Sequence, residues 1–324
     1  MIMRGLTHAL SPGGAERARL SILIFHRVLA LPDPLFPQAM DVRRFQQVMG
    51  WVRRWFEVLP LDQAVRQLHA GTLPARALCI TFDDGYADNA SQALPVLRHY
   101  GLPATFFIAS GFLDGGRMWN DSVIEALRRT HHVQLELGAL LPGGGQARLA
   151  LHTLAERRRA IDLLLARIKY LPPAERQQVV ARVVEAAGVP LPNHLMLRCE
   201  QLCLLRDAGM QIGAHTVSHP ILQRCTDVQA RWEMVHGKRM LEDLVEVPVT
   251  LFAYPNGKPG VDYGTRHVAM ARAAGFVAAV STASGAAASG GDLLQLPRFT
   301  PWQRGGLRFG LRMLGNLRRR GAVV

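Results

Sequence analysis

Short apolar runs alternate with segments of helical periodicity along most of this chain. From residue 42 to residue 56, apolar side chains recur every three or four positions, which predicts an amphipathic helix capped by Asp41. Apolar runs of strand length lie on both sides of this helix, at residues 20–25 and 77–82. Because strands that alternate with helices form parallel βα units, the pattern predicts an α/β fold.

The alternation continues along the chain with one long interruption. Residues 111–196 contain helical patterns near 154–170 and 174–187, and this segment is too long for a simple connection from a strand to a helix. We therefore expect about seven βα units and an inserted helical subdomain. Further strands are predicted at residues 58–61, 104–109, 210–213, 250–254, 276–281 and 293–299.

The composition indicates a globular protein. The chain has 324 residues, of which 49% are hydrophobic, and this is enough for a buried core. The N-terminal residues lack the apolar run and cleavage site of a secretory signal, and no apolar run is long enough to span a membrane. The four cysteines are expected to be reduced thiols. Together these features favour a cytoplasmic location.

Two adjacent carboxylates, Asp83 and Asp84, follow the predicted strand at 77–82. In α/β enzymes, reactive groups lie at the carboxyl ends of parallel strands. Two bare carboxylates in a pocket of low dielectric constant repel each other, so one of them usually binds a cation or a proton. A metal site is therefore one interpretation, and the other is that both residues cap a helix that begins near Tyr86.

Two histidines, His215 and His219, follow the predicted strand at 210–213. They are four residues apart, so both imidazoles can face one cation if the segment forms a helical turn. With one carboxylate they make a set of ligands that leaves coordination positions open for water and substrate. Two unrelated surface histidines are the alternative, but the combination with the aspartate pair indicates a metal-dependent hydrolytic site.

Three motifs resemble those of a known family. Residues 81–85 (TFDDG) and 215–220 (HTVSHP) resemble the first two motifs of the NodB-homology polysaccharide deacetylases. Residues 252–257 (FAYPNG) resemble the third motif, in the form found in bacterial exopolysaccharide clusters. The resemblance implies a distorted, incomplete (β/α)7-like barrel and a metal-dependent hydrolase. Such an enzyme removes N- or O-acetyl groups from a bacterial polysaccharide or its precursor.

The resemblance also implies roles for the residues of the first two motifs. It makes Asp83 the general base, and it makes Asp84, His215 and His219 the ligands of a divalent metal. Zinc suits two imidazoles and a carboxylate. A bound cation lowers the pKa of water towards neutrality, and a carboxylate beside the cation can accept the proton.

In the third motif, the resemblance implies that the backbone N–H of Asn256 stabilises the oxyanion that forms on the acetyl group. Tyr254 and Pro255 are then expected to contact the substrate. The implied domain layout follows the motifs. It comprises an N-terminal extension (1–19), two parts of the deacetylase barrel (20–110 and 197–300), a helical insertion (111–196) and a basic amphipathic C-terminal helix (301–324).

The chain departs from the family pattern at two places. Fuller third motifs carry an arginine that orients the base, but Ala253 and Tyr254 occupy that region here. The fifth motif usually supplies a histidine as general acid, but the matching segment contains Arg298, which keeps its proton at neutral pH. We expect His26, at the end of the first predicted strand, to act as the acid, with a purely structural role as the alternative. Arg298 is expected to pair with Asp83 and orient it.

The insertion lies between two motif-bearing strands and is expected to cover the cleft. Its residue Trp119 has a ring that can stack on a sugar, although the ring can equally pack the insertion against the barrel. The substrate expected from the resemblance is an acetylated carbohydrate.

The formal net charge of +13 is concentrated partly at the C-terminal end of the sequence, where six arginines lie between residues 304 and 320. A basic amphipathic helix can rest on an anionic membrane surface. The interpretation that we favour is a helix that docks its leucines on the barrel. Nucleic acid is not expected as a partner, because no binding-module motif is present. On a helix, two sets of residues lie on different faces: Arg304, Arg308 and Arg312, and Leu307, Leu311 and Leu314.

Three functions therefore compete. The first is a metal-dependent polysaccharide deacetylase. The second is a catalytically impaired carbohydrate-binding relative, suggested by the altered third and fifth motifs. The third is a metal-dependent amidohydrolase that acts on a non-sugar amide, because the same base and metal serve any such bond. The retained Asp83 favours an enzyme, since a binding protein needs metal ligands but no base.

Overall fold

Ten β-strands lie within the part of the chain that the computed structural model describes, residues 2–14, 17–137, 148–300 and 303–324. Most of them follow the predicted apolar runs. They are β1 (Arg19–Phe25), β2 (Glu57–Val58), β3 (Ala77–Phe82), β4 (Thr105–Ile108), β5 (Gln134–Glu136), β6 (Arg148–Ala150), β7 (Gln211–Ala214), β8 (Leu251–Ala253), β9 (Ala278–Val280) and β10 (Ala287–Ala288).

Eleven α-helices lie in the same described ranges. Asp41 caps the second helix by accepting a hydrogen bond from the backbone N–H of Arg44, as the sequence predicts. The helices are α1 (Ile2–Leu10), α2 (Val42–Trp55), α3 (Leu61–Ala70), α4 (Leu94–Tyr100), α5 (Trp119–Arg129), α6 (Leu154–Ile168), α7 (Pro173–Ala187), α8 (Cys199–Asp207), α9 (Asp227–Val245), α10 (Thr265–Ala273) and α11 (Gly306–Leu317).

Seven strands form one curled sheet in the order β10-β1-β3-β4-β7-β8-β9, and β2 pairs with β3 beside it. All neighbouring strands are parallel except β1 and β10. The sheet curls into an open half-barrel with helices around it. The prediction of a distorted, incomplete (β/α)7-like barrel is therefore confirmed.

A non-regular segment, residues 296–299, spans the gap between the two sides of the half-barrel. Leu296 forms a single bridge to Val280 of β9, and Phe299 forms one to Leu23 of β1. The predicted strand at 293–299 is wrong in this respect, since residues 293–295 form a 3₁₀ turn. The physical reason is that Pro297 has no N–H to donate and so cannot continue a ladder of hydrogen bonds.

The central strand β3 is buried along its whole length. Its Phe82 ring stacks on Phe106 of β4 at a centroid distance of 4.8 Å, and Phe25 of β1 stacks on Phe82 from the other side at 5.4 Å. Burial on both faces explains why this strand reads as a continuous apolar run with no alternation. The barrel therefore holds the end of β3 in a fixed position.

The region between β4 and α8 has a hydrophobic core of its own. Helices α5, α6 and α7 and the β5–β6 hairpin share it, through side chains such as Val123, Leu127, Ile161, Leu164 and Val183. The hairpin has no counterpart among the predicted elements. These elements fall inside the expected helical insertion, whose bounds at 111–196 stay a prediction.

The terminal helices α1 and α11 pack on each other and on α2. Phe309 lies against Trp51 and Trp55, with ring centroids 5.5 and 6.0 Å apart. The prediction that α11 docks its leucines is wrong for Leu307 and Leu311, which are exposed. Trp51 and Trp55 pack against the Phe309 ring instead. Phe309, Met313 and Leu317 therefore belong to the buried face of α11. None of the described helices is both long and apolar enough to cross a membrane.

Helix α9 approaches the loop after β7 through Gly237. A Cβ at this position would lie 2.8 Å from the carbonyl carbon of Thr216. We expect Gly237→Ala to lower the free energy of unfolding by about 1–3 kcal/mol, because the overpacking outweighs the better helix propensity of alanine. Denaturant unfolding measures the change.

Gly315 of α11 provides a matched control. A Cβ there meets nothing within 4 Å. Gly315→Ala is therefore expected to raise the free energy of unfolding by up to about 1 kcal/mol. Equal stabilisation by both alanines would show that the close approach of α9 to the loop does not constrain the fold.

Candidate active site

Asp83 and Asp84 follow β3 directly and point to different partners. Asp83 forms a two-pronged ion pair with Arg298, in which each carboxylate oxygen lies 2.6 Å from a guanidinium nitrogen. Arg298 is fully buried, and its Nε donates to the carbonyl of Ser281 at 3.0 Å. Arg298 reaches Asp83 because residues 296–299 lie next to β1 and so close to β3. The expected contact between Arg298 and Asp83 is therefore present.

Asp84 faces the two histidines. Its Oδ1 lies 3.5 Å from Nε2 of His215 and 3.4 Å from Nε2 of His219. One potential ligand atom from each residue can be chosen so that all three lie within 4.8 Å of one another. Asp84 Oδ1 is buried and has no hydrogen-bond partner in the described part of the chain. A buried, unpartnered carboxylate oxygen beside two imidazole nitrogens is an arrangement that a divalent cation satisfies.

The backbone of the histidine loop differs from the predicted helical turn. Residues 215–219 are not helical, and Thr216 and His219 have positive φ angles of 68° and 51°. The left-handed turns, rather than helical spacing, bring the two imidazoles together. His215 Nδ1 donates to the carbonyl of Ala253 at 2.7 Å, which leaves Nε2 facing Asp84.

Glu233 of α9 holds this loop in place and was not identified from the sequence. Its buried carboxylate accepts hydrogen bonds from the backbone N–H groups of Val217 and Ser218, both at 2.8 Å. It also accepts one from the Ser218 hydroxyl at 2.5 Å. The only sequence signal was an acidic residue on the inner face of a helix that otherwise carries both charge signs.

The carboxylates stay ionised although they are buried. Burial by itself raises the pKa of Asp83, but Arg298 and His215 together bring it below the ordinary value. Burial opposes ionisation of Asp84 in the same way, and the two histidines lower its pKa strongly. For His219, burial dominates and lowers the pKa to about 3, so its imidazole is neutral and able to bind a metal.

These residues open into a cavity of about 750 Å³ between the barrel and the insertion. Asp83, Asp84 and both histidines line it. His26 is exposed there, and Asn256 lines the same cavity. No backbone hydrogen bond from the Asn256 N–H occurs within the described ranges.

Two residues of the third motif lie outside the cavity. Tyr254 is fully buried, its ring stacks on Tyr263 at a centroid distance of 3.9 Å, and its hydroxyl donates to the carbonyl of Leu294. Pro255 is also buried. The expectation that Tyr254 and Pro255 contact the substrate is therefore corrected. The sequence could not distinguish an aromatic ring in the cleft from one in the core below it.

Trp119 lines the cavity at the start of α5. Its ring is partly buried against the core of the insertion, and the guanidinium of Arg176 lies 5.3 Å from the ring centroid. The ring therefore takes part in packing and also borders the cleft.

A polar network in the cavity was also missed by sequence reasoning. The Tyr86 hydroxyl donates to Asp121 Oδ2 at 3.0 Å, and the Arg27 guanidinium lies 4.8 Å from the Tyr86 ring centroid. Arg27 also pairs with Asp88 at 2.8 Å. Burial raises the pKa of Asp121 to about 7, so this acid can hold a proton near neutral pH. The signal available in the sequence was the polar pair that follows Trp119.

Taken together, the fold and the site define an α/β protein with a candidate metal site of two histidines and one aspartate, next to a second, separately paired carboxylate. Residues 70–135 and 178–279 match the sequence profile of the polysaccharide deacetylase family. The chain belongs to this family. The unmatched residues between these two segments lie in the insertion.

Individual relatives agree with this assignment. The chain is 22% identical over 283 residues to YxkH of Bacillus subtilis strain 168, whose name describes a polysaccharide deacetylase, and the match covers 87% of this chain and 71% of YxkH. The fold is similar to that of the deacetylase PplD of Streptococcus pyogenes in complex with acetate. That match has a TM-score of 0.62 and 18% identity over 93% of this chain and 99% of PplD.

A second similar fold is that of IcaB from Ammonifex degensii. The TM-score is 0.56 and the identity is 19%, and the match covers 95% of this chain and 99% of IcaB. The predicted resemblance to the NodB-homology polysaccharide deacetylases is thus confirmed.

Replacing Arg298 by methionine leaves Asp83 as a buried charge without its partner. We expect Arg298→Met to lower the free energy of unfolding at neutral pH by about 3–5 kcal/mol. Because Arg298 lowers the pKa of Asp83, its stabilisation is present above the pKa of the unfolded aspartate, about 4, and is lost as the pH falls. The difference from the wild type should therefore shrink in acid.

The double variant Asp83→Asn/Arg298→Met tests whether the unpaired charge causes the loss of stability. It should recover most of the stability that Arg298→Met loses, because no charge is then left unpaired. Denaturant unfolding between pH 3 and 8 gives these values. A double variant no more stable than Arg298→Met would mean that lost packing, and not the charge, causes the effect.

Proposed function

We propose that this protein is a metal-dependent deacetylase that hydrolyses N- or O-acetyl groups of a bacterial polysaccharide or its precursor. One observation carries the proposal. Of two adjacent buried carboxylates, Asp84 faces both histidines at 3.4–3.5 Å, while both oxygens of Asp83 are bound by Arg298 and Asp83 comes within 4.0 Å of His215. This difference in partners would give the site both a metal ligand and a base, which hydrolysis of an acetyl group requires.

Asp84, His215 and His219 would hold the divalent cation. The set of two nitrogen ligands and one oxygen ligand suits Zn²⁺, and the unpartnered Asp84 Oδ1 is the atom that most needs such a partner. When bound, the cation supplies Lewis-acid chemistry, since it lowers the pKa of water and polarises a carbonyl.

Asp83 would act as the general base. The two hydrogen bonds from Arg298 fix the orientation of its carboxylate, and the lowered pKa keeps it ionised at neutral pH. In this role Arg298 replaces the orienting arginine that the third motif lacks. Arg298 itself is held by the Ser281 carbonyl and by the Thr81 hydroxyl, 3.0 and 3.2 Å away, so the base is positioned from two sides of the barrel.

Asn256 would provide the backbone N–H that stabilises the developing oxyanion. His26 would protonate the leaving group, because it lines the cavity and is exposed there. Trp119 would border the sugar, because it lines the cavity.

The substrate would be an acetylated carbohydrate. The name of PplD refers to a deacetylase in complex with acetate, and IcaB shares the same fold. The insertion forms one wall of the cavity and so contributes to the choice of substrate. A non-sugar amide is the second candidate function, because the proposed base and metal act on any amide that the cavity admits. A carbohydrate-binding relative without turnover is disfavoured by the paired, ionised Asp83.

The first test is metal-dependent release of acetate from acetylated oligosaccharides. We expect chelation to abolish release and Zn²⁺ or another divalent cation to restore it. Asp83→Asn should lower kcat by about 10²–10⁴-fold while metal binding persists, because the ligands remain. Asp84→Asn should lose both metal binding and activity. Isothermal titration with the cation separates the two variants.

The outcomes distinguish the candidate functions. Release only from small non-sugar amides would favour the amidohydrolase. Binding of glycans with no release under any metal would favour the binding relative. Exposed Asp207 of α8 offers a control, since Asp207→Asn alters a carboxylate that does not line the cavity and should leave turnover unchanged.

A second test asks which residue is the general acid. We expect His26→Gln to lower kcat by about 10²-fold with little change in KM, and to remove one limb of the pH profile of kcat. Asp121→Asn is the matched comparison, because Asp121 lines the same cavity and can also hold a proton. If Asp121→Asn removed that limb and His26→Gln did not, the acid would be Asp121.

A further inference from the structure

The terminal helices α1 and α11 form one packed pair on the outside of the barrel. The Met3 side chain of α1 lies against Gly310 of α11, where a Cβ would come within 2.0 Å of the methionine methyl group. Thr7 of α1 is buried and contacts the Trp55 carbonyl, and Phe309 of α11 packs on Trp51 and Trp55. The inner faces of both helices are therefore occupied by contacts with the barrel helices.

The outer faces of the two helices remain apolar. Ile2 and Leu6 of α1 are exposed, at 80% and 44%, and so are Leu307 and Leu311 of α11, at 70% and 56%. Each pair is separated by four residues and so lies along one side of its helix. Single exposed leucines are ordinary. Four large exposed aliphatic side chains on two adjoining helices, however, are typical of a surface that binds a partner.

The chemistry around the patch indicates that partner. Neither residues 2–14 nor 303–324 contain an aspartate or glutamate. Six exposed arginines accompany the leucines, and none of them forms an ion pair with the described residues. They are Arg304, Arg308, Arg312, Arg318, Arg319 and Arg320. Aliphatic side chains beside long cationic ones match the interface of a bilayer with anionic head groups, where arginines extend towards phosphates while leucines enter the acyl region.

The position of α11 relative to the cavity supports the same partner. Thr300, a few residues before α11, lines the cavity. Arg304 donates to the carbonyl of Pro37 at 2.6 Å, and the neighbouring Phe36 and Gln38 also line the cavity. The apolar patch therefore begins close to the rim of the cleft, so a bilayer bound there would lie beside the cleft entrance.

We propose that the outer faces of α1 and α11 form a surface that docks this protein on an anionic phospholipid bilayer. Leucine and isoleucine side chains enter the interface and the arginines bind lipid phosphates. Double-stranded nucleic acid would use the arginines but not the apolar side chains, and a protein partner would not depend on the charge of the lipid. Because the three kinds of partner differ in these requirements, binding measurements alone can test the proposed surface, without an activity assay.

The test is cosedimentation with vesicles. The full chain should bind vesicles of phosphatidylcholine and phosphatidylglycerol, and should bind phosphatidylcholine alone at least tenfold more weakly. Leu307→Gln/Leu311→Gln and Arg308→Gln/Arg319→Gln should each lower the partition coefficient on the order of tenfold or more. Glutamine keeps the helix propensity close to that of leucine and arginine, so α11 should remain folded.

Leu204→Gln/Arg231→Gln is the matched control. Both residues are exposed, on α8 and α9, and the same chemical changes there should leave vesicle binding unaltered. Denaturant unfolding of every variant checks that α11 stays docked, because loss of the contacts of Phe309 with Trp51 and Trp55 would lower the stability.

The outcomes decide the proposal. Loss of binding in both α11 variants, with an unaffected control, supports it. A wild type that does not bind anionic vesicles overturns it. Binding that needs the arginines but not the leucines also overturns it, because simple electrostatic adsorption would then suffice. Acetate release from a soluble substrate should stay unchanged in the α11 variants, so failure here is distinct from failure of the proposed activity.

Discussion

Two adjacent carboxylates at the buried end of β3 are the constraint around which this structure is arranged. Each needs its own compensation, because charges in a medium of low dielectric constant are costly without a partner. Arg298 balances Asp83 through two short hydrogen bonds, and the imidazoles of His215 and His219 face Asp84. Because the two carboxylates have different partners, Asp83 is the proposed base and Asp84 is the proposed metal ligand.

The segments that carry the site residues have an unusual backbone conformation. Asp84, Thr216, His219 and Asn256 all have positive φ angles, between 51° and 77°. Such a conformation costs on the order of 1 kcal/mol or more for a residue with a side chain, and it persists only when the surroundings enforce it. Glu233 provides part of that enforcement by binding two backbone N–H groups of the histidine loop. Of the seven non-glycine residues with positive φ in the described ranges, four therefore belong to the three motif segments around the site, and Arg76, Asp114 and Glu246 lie elsewhere.

The sequence predicts those features that depend on local pattern or on the resemblance to the family. The βα rhythm predicts an α/β fold of about seven units, and the resemblance implies the incomplete barrel. The orienting arginine that the third motif lacks leads to the expected contact between Arg298 and Asp83. The sequence does not predict side-chain direction at the third motif, where Tyr254 turns into the core, because one residue of register separates the cavity from the interior. Asp121 was missed for another reason: burial raises its pKa, and that burial comes from the packing of distant segments, which no spacing along the chain reveals.

Asp83 and Arg298 are 215 positions apart, and this separation has a consequence for biosynthesis. A ribosome that adds about 5–20 residues per second makes the acid roughly 10–40 s before it makes the cation that neutralises it. During that interval a compact chain would have to enclose Asp83 without its cation, or with a proton bound to it. We therefore expect a chain that stops before Arg298 to be less stable than the full chain and more readily cut by proteases.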